Sequence, residues 1–303
     1  MSKYPDNNDL FLEPKTTQYG GHMVMTNVMK PMKKKYINID TRFRDEYNPS
    51  SLVNYNITLP ERITEVKTIL ITNIEIPNSI YNISASIGNN AFKVTKENTN
   101  VNKLVVLPDG NYTITELLTA INQELAIIFS TDISATIVNN KFIFTANTYN
   151  YMVDFTIDED GNFDKYSPRS KLGWTLGFRS MNYNIKYGEP LTTESFIDLN
   201  GPRYLYLAID EFTKGNQHSF ISPLPKSLIN KNILARITID STTWGFGKII
   251  PSNMKSGNLV SDHRSYTGKT DLQKLNIQLL NEYGNPVDLN GMDFSFCIEV
   301  EHE

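Results

Sequence analysis

The chain has 303 residues, 40% hydrophobic, 11% aromatic and 20% charged, a globular composition that fits one large all-β domain or two smaller ones. The formal net charge is −4, so the basic surplus needed by a surface that grips nucleic acid is absent. The single cysteine, Cys297, excludes an intrachain disulfide and any thiolate-cluster metal site.

The opening residues, MSKYPDNNDLFLEPK, are polar and Pro-punctuated, without the apolar stretch of a secretory signal. No later run approaches the ~20 apolar residues of a membrane-spanning helix. The expected setting is a reducing cytoplasm, where the sequons at Asn56, Asn82 and Asn111 are chance products of an Asn-rich chain. Residues 1–32 show no sustained period and read as an N-terminal arm, closed by the basic run Lys33-Lys34-Lys35. The plain reading of that run is a solvated strand start or a guard on a sheet edge.

Strand signals begin at KYINID, with Ile37 and Ile39 on one side. VNYNITLP alternates Val53, Tyr55, Ile57 and Leu59 against polar residues, and Pro60 is expected to end that strand. VKTILITNIEIPN poses a question. Val66, Thr68, Leu70, Thr72, Ile74 and Ile76 make one face, yet the opposite face carries Ile69 and Ile71 at its centre. A strand wetted on one side is polar along that side. Ile69 and Ile71 therefore need a cover, either another part of the chain or a neighbouring subunit.

The middle block, 79–190, reads differently. Short strand signals (AFKV, KLVVLP, ISATIV, KFIFTA, MVDFTI) flank one helix in GNYTITELLTAINQELAIIF. Thr113 and Glu116 form a capping-box pair, followed by an apolar stripe of Leu118, Ile121, Leu125 and Ile128. VNNKF suits a tight hairpin. Afterwards RYLYLAID, ILARITID, LNIQLL and MDFSFCIEV resume the strand pattern, separated by long loops that suit a jelly roll better than a meander. The expectation is an all-β fold: a single jelly-roll β-sandwich over 33–78 plus 191–303, with an inserted small α+β domain at 79–190.

Chemical motifs are weak. Gly268-Lys269-Thr270 lacks the earlier glycine of a phosphate loop, whose place is taken by His263. Asp158, Asp160 and Asn162 have calcium-loop spacing, but Phe163 and Arg169 stand where glycine and glutamate belong, so an acidic hairpin turn is expected. His22, His218, His263 and His302 are scattered, and no nucleophile–base grouping is evident. Cys297 reads as a half-buried thiol. No catalytic residue, cofactor or metal ligand is nominated, and the expectation is a protein that is not an enzyme.

INIDTRFRDEYNPSSLVNYNITLPERITEVKTILITNIEIPNSIYNI resembles the opening of small capsid proteins of virophages, polinton-like elements and large double-stranded DNA viruses. LPDGNYTITELLTAINQEL, KLGWTLGFR and LQKLNIQLLNEYGNPVDLNGMDFSFCIEVE resemble later blocks of the same family, in the same order over about residues 36–303. Length and arrangement are most similar to those of a mavirus-type virophage penton. The resemblance implies a virion protein assembled in the host cytoplasm, a homopentamer at icosahedral fivefold vertices set among trimers of a double-jelly-roll major capsid protein. It implies no catalytic residues, no nucleic-acid specificity and no membrane span. The subunit contacts nominated on this view are Ile69, Ile71, Lys33, Lys34 and Lys35. The alternatives are a minor capsid or cement protein, or a β-sandwich binding a host receptor or glycan through Trp244 and Phe246.

Overall fold

The computed structural model describes residues 31–44, 53–163, 168–212 and 232–303. The expected arm therefore lies outside the described residues apart from its last two, as do His22 and His218. Strand β1 spans Lys33–Asp40 and β2 spans Asn54–Pro77. Next come β3 (Ala91–Lys96), β4 (Asn102–Val106), helix α1 (Ile114–Phe129), β5 (Ile133–Val138), β6 (Lys141–Ala146) and β7 (Tyr151–Asp154). A short helix α2 (Leu172–Leu176), β8 (Asn182–Ile185) and β9 (Leu191–Thr192) follow. The chain ends with β10 (Tyr204–Asp210), β11 (Ile233–Thr238), β12 (Ile249–Asn253), β13 (Leu259–Ser261), β14 (Arg264–Leu280) and β15 (Ser295–His302).

The largest sheet runs β1-β15-β2-β14-β10-β11-β13, with β12 also on β2. Its two longest members, β2 and β14, serve two layers. The first part of β2 pairs with the last part of β14 (Asn54↔Gln278 to Thr58↔Lys274). The second part pairs with β15 on one side (Val66↔His302 to Glu75↔Ser295) and β12 on the other (Asn73↔Asn253 to Pro77↔Ile249). One layer is thus β1-β15-β2-β12 and the facing layer β2-β14-β10-β11, and one aliphatic cluster from Ile39 to Val300 fills the space between them. This is the wiring of a single jelly-roll β-sandwich.

The registers answer the question posed by Ile69 and Ile71. They are 1% and 0% exposed, inside the sandwich core, and so are Ile63, Val66, Ile74 and Ile76. A uniform period of two cannot put all six on one face. Three β-bulges do. Ile63 sits opposite Leu272 and Val66 opposite Thr270, so Thr64 and Glu65 share one partner position. Glu65 takes a φ of 57°, and its N–H donates to Asp271 Oδ1 at 3.1 Å. Along β15, Lys67 is an extra residue between the His302↔Val66 and Glu301↔Thr68 pairs, and Thr72 between Ile298↔Ile71 and Cys297↔Asn73. Each extra residue flips the following side chains to the other face. The apolar side chains of β15 (Phe296, Ile298, Val300) thereby meet Ile74, Ile71 and Ile69 in turn. The cover is intrachain, and these two isoleucines call for no neighbouring subunit.

Two further expectations change. Pro60 does not end a strand: β2 continues through it, because Leu59–Arg62 lie opposite the single residue Gln273, where no ladder donor is required. The stretch 241–270, expected as a loop, contains β12, β13 and the start of β14.

Residues 83–199 build a second core. Sheet β4-β3-β7-β8 and sheet β5-β6-β9 enclose α1 and a cluster of Phe92, Phe142, Phe144, Phe155 and Phe178. Leu191 pairs with Phe144, and Ile197 and Leu199 pack on this second core, so residues 191–199 side with it rather than with the sandwich. Helix α1 starts with the Thr113–Glu116 capping box. Its buried row is Leu117, Ile121, Leu125 and Phe129, while Leu118 is half-buried and Ile128 is 48% exposed. Apolar residues lie on both sides of the Ile121–Leu125 line, so composition permits either stripe and packing against β5 and β4 selects one. Asn139 and Asn140 both take positive φ (52° and 60°), the conformation of a type I′ hairpin turn.

Candidate binding cleft

A cleft of about 610 Å³ opens where the second core meets the turn after β14. Its wall from the insert is made by the KLGWTLGFR segment. Gly177, at φ 107°, closes α2; a Cβ there would lie 2.3 Å from the carbonyl oxygen of Ser195, so only glycine fits. A Cβ on Gly173 would meet the Phe155 ring at 2.6 Å. These two glycines let the turn sit flush on the aromatic core and hold half-buried Trp174 toward the cleft.

The guanidinium of Arg179 lies 4.1 Å from the Trp174 ring centroid and that of Arg169 5.8 Å. Arg179 Nη1 donates to the carbonyls of Phe178 (2.8 Å) and Trp174 (3.2 Å), which fixes it over the ring. Across the cleft, the turn after β14 supplies Glu282 and Tyr283. The Tyr283 hydroxyl donates to the Arg169 carbonyl at 3.1 Å, tying the two cores together. Burial pushes the Tyr283 phenol up to about 12 and raises the Glu282 carboxyl above its usual range. Glu282 Oε2 is buried without a hydrogen-bond partner. Arg203, on the rim, pairs with Asp198 at 3.1 Å.

The nominated contact residues fall elsewhere. Lys33, Lys34 and Lys35 lie on β1, at the edge of the large sheet. Lys34 bridges Glu299 (2.6 Å) and Glu301 (3.2 Å), and Lys35 pairs with Glu61 at 2.7 Å. The Glu299 carboxylate raises the Lys34 ammonium and is itself lowered by it. Trp244 is half-buried and its carbonyl accepts from Asn78 Nδ2, while 46%-exposed Phe246 stacks on Tyr81 at 5.8 Å. The structure therefore does not bring Trp244 and Phe246 into one exposed aromatic platform. Gly268-Lys269-Thr270 lies within β14, and Cys297 is half-buried on β15. Asp158 Oδ1 accepts from the Asp160 and Asn162 N–H groups, closing an acidic turn.

Sequence reasoning passed over two polar groupings. Arg264, 2% exposed, donates to Glu211 (2.8 Å) and to the carbonyls of Ile209 (2.7 Å) and Asn232 (2.6 Å); Tyr266 donates to the same carboxylate. That buried ion pair locks the end of β10 and the start of β11 to β14. Arg44, also buried, donates to the Thr41 carbonyl (2.8 Å) and Asp293 (3.3 Å) beside β1. No grouping of three potential metal-binding side chains occurs among the described residues.

The class defined by this architecture is the single jelly-roll β-sandwich, carrying a second α+β core between β2 and β10. No family model matches the chain, and no curated protein matches it. Among solved structures, the selenomethionine-labelled mavirus penton protein is similar at 11% identity and a TM-score of 0.45, over 90% of this chain and 99% of that one.

Proposed function

We propose that this chain is a structural capsid protein: a single jelly-roll penton subunit forming homopentamers at icosahedral fivefold vertices, beside trimers of a double-jelly-roll major capsid protein. On this reading the inserted domain expected at 79–190 reaches to about residue 199, and the protein acts in the virion after assembly in the host cytoplasm. The observation that carries the proposal is where the four capsid-like sequence blocks fall. The first makes β1 and β2, the last makes β14 and β15, and together these are the interlocked strands that join both layers. The other two make the cap of α1 and the Gly177 turn of the second core. Jelly rolls also serve as lectins and cupins, so the wiring alone does not choose among these roles; the ordered blocks favour the capsid.

Because Ile69 and Ile71 are covered within the chain, a pentamer contact has to use other surfaces. Lys33, Lys34 and Lys35 remain in the proposed contact, now with Tyr36 on β1 and Phe43 in the turn that follows it, which are 63% and 77% exposed. Purified protein should show fivefold rings in negative stain and a pentamer mass by light scattering. A monomer at every protein and salt concentration would refute the proposal.

A further inference from the structure

The cleft beside Trp174 has a chemistry that a purely architectural role leaves unused. Two guanidinium groups flank one indole ring, and among the described residues no carboxylate pairs with Arg169 or Arg179. Across the cleft stands Glu282, on a lining that also carries Asp198 and Asp288. A carboxylate on a cleft wall is an acceptor for hydroxyl donors. Ile80, Ile87 and Val287 add apolar wall. The volume, about 610 Å³, falls in the range of small-ligand sites, about 300–1,000 Å³, and such sites favour the seams between domains.

A ligand that satisfies this set carries an anionic group for the arginines, hydroxyl donors for Glu282 and a rigid body with an apolar side. A simple anion has no hydroxyl donor and no body. A neutral sugar leaves the arginines uncompensated. We infer that this cleft binds an acidic saccharide, a pyranose bearing a carboxylate, with Arg169 and Arg179 receiving the carboxylate and the Glu282 carboxylate accepting a hydroxyl. Arginine suits that part because its planar fork meets a carboxylate through two parallel hydrogen bonds. The inference is independent of the capsid proposal, since it uses only the seam between the two cores.

The test uses the full chain as Trp244→Phe, which leaves Trp174 as the one tryptophan. Its emission is titrated with N-acetylneuraminic acid, with glucuronic acid, with glucose and with sodium sulfate. At least one of the two acids should give a saturable change, and the pattern between them tells which class fits. Arg169→Ala, at an exposed position, should weaken that binding by about tenfold, the size of one lost charge-assisted hydrogen bond. Glu282→Gln should weaken it by about threefold or more, because the amide repels a hydroxyl donor at one of its two ends. No saturable change with either acid overturns the inference. So does glucose or sulfate binding as tightly as the acids, or an Arg169→Ala protein that binds unchanged. Circular dichroism of each variant confirms that the fold is intact, and a pentamer mass that persists while binding fails separates this inference from the proposed function.

Discussion

The two cores of this chain solve the same burial problem with different side chains. The sandwich is filled almost wholly by Ile, Leu and Val, with only Tyr55, Phe294 and Phe296 as buried aromatics in its cluster. The second core is built on Phe92, Phe129, Phe142, Phe144, Tyr151, Phe155 and Phe178. Two long layers facing each other leave a thin, even gap that branched aliphatic side chains fill well. Two small sheets and a helix leave a deeper, uneven gap. There rings meet edge-on, as Phe142 and Phe144 do at 4.9 Å and 75°. The connectivity differs as well. The sandwich joins β1 to β15, the two ends of the described chain, whereas each pairing in the second core is closed within residues 83–192. Strands β2 and β10 lie in one sheet, so the chain between them returns close to where it left.

Paired core substitutions give the largest test of that separation. Ile71→Asp places an unpaired charge in the sandwich and should remove about 4 kcal/mol or more. Phe144→Ala should remove about 3–5 kcal/mol from the second core. Calorimetry should then show two transitions, each lowered by only one of the changes; a single transition shifted by both would erase the distinction.

Next in size is Glu211→Ala, which strands Arg264 in the sandwich and should lower stability by about 3–5 kcal/mol in denaturant titration. Glu211→Gln, which keeps an acceptor, should lower it less. Equal losses would mean that the neutral acceptor contributes nothing there and the charge carries the whole effect; a Glu211→Gln protein as stable as the parent would mean that the charge contributes nothing.

A smaller effect is expected at alkaline pH. Burial pushes the Tyr151 phenol in the second core up to about 12, as it does Tyr283 at the seam, and raises Tyr55 in the sandwich further. An unfolded tyrosine ionises near pH 10. The folded chain holds these protons longer, so their stabilising effect is complete below about pH 10 and is lost as pH rises through about 12. Phenolate absorbance should lag behind the 16 tyrosines of the chain and then rise together with unfolding. Smooth titration near pH 10 with the fold intact would contradict the burial.

The smallest effect belongs to α1. Ile128→Gln, on its exposed side, should change stability by less than about 0.5 kcal/mol, while Leu125→Gln should cost about 2 kcal/mol or more. The reverse order in thermal melts would restore the stripe through Leu118 and Ile128 that periodicity suggested.

Much of the strand inventory was legible from the residues, since alternation at Val53–Leu59, Leu205–Ile209 and Phe294–Val300 survives folding unchanged in kind. The cleft was not legible. Arg169 and Trp174 are close in sequence, but Glu282 and Tyr283 reach them only because the turn after β14 docks on the second core. The two faces of VKTILITNIEIPN were misread for a related reason. Bulges at Glu65, Lys67 and Thr72 show locally only as apolar residues on both faces, and the partner strands β14 and β15 decide where each change of phase falls.

What the amino-acid sequence determined alone is whatever neighbours along the chain can enforce: the β-rich class, the capping box before α1, the Asn139-Asn140 turn and the glycines of the KLGWTLGFR turn. Tertiary structure decided which face each apolar residue takes and which polar groups converge. Side-chain direction in a strand is a parity, and a single extra residue opposite a distant partner reverses it for all that follows.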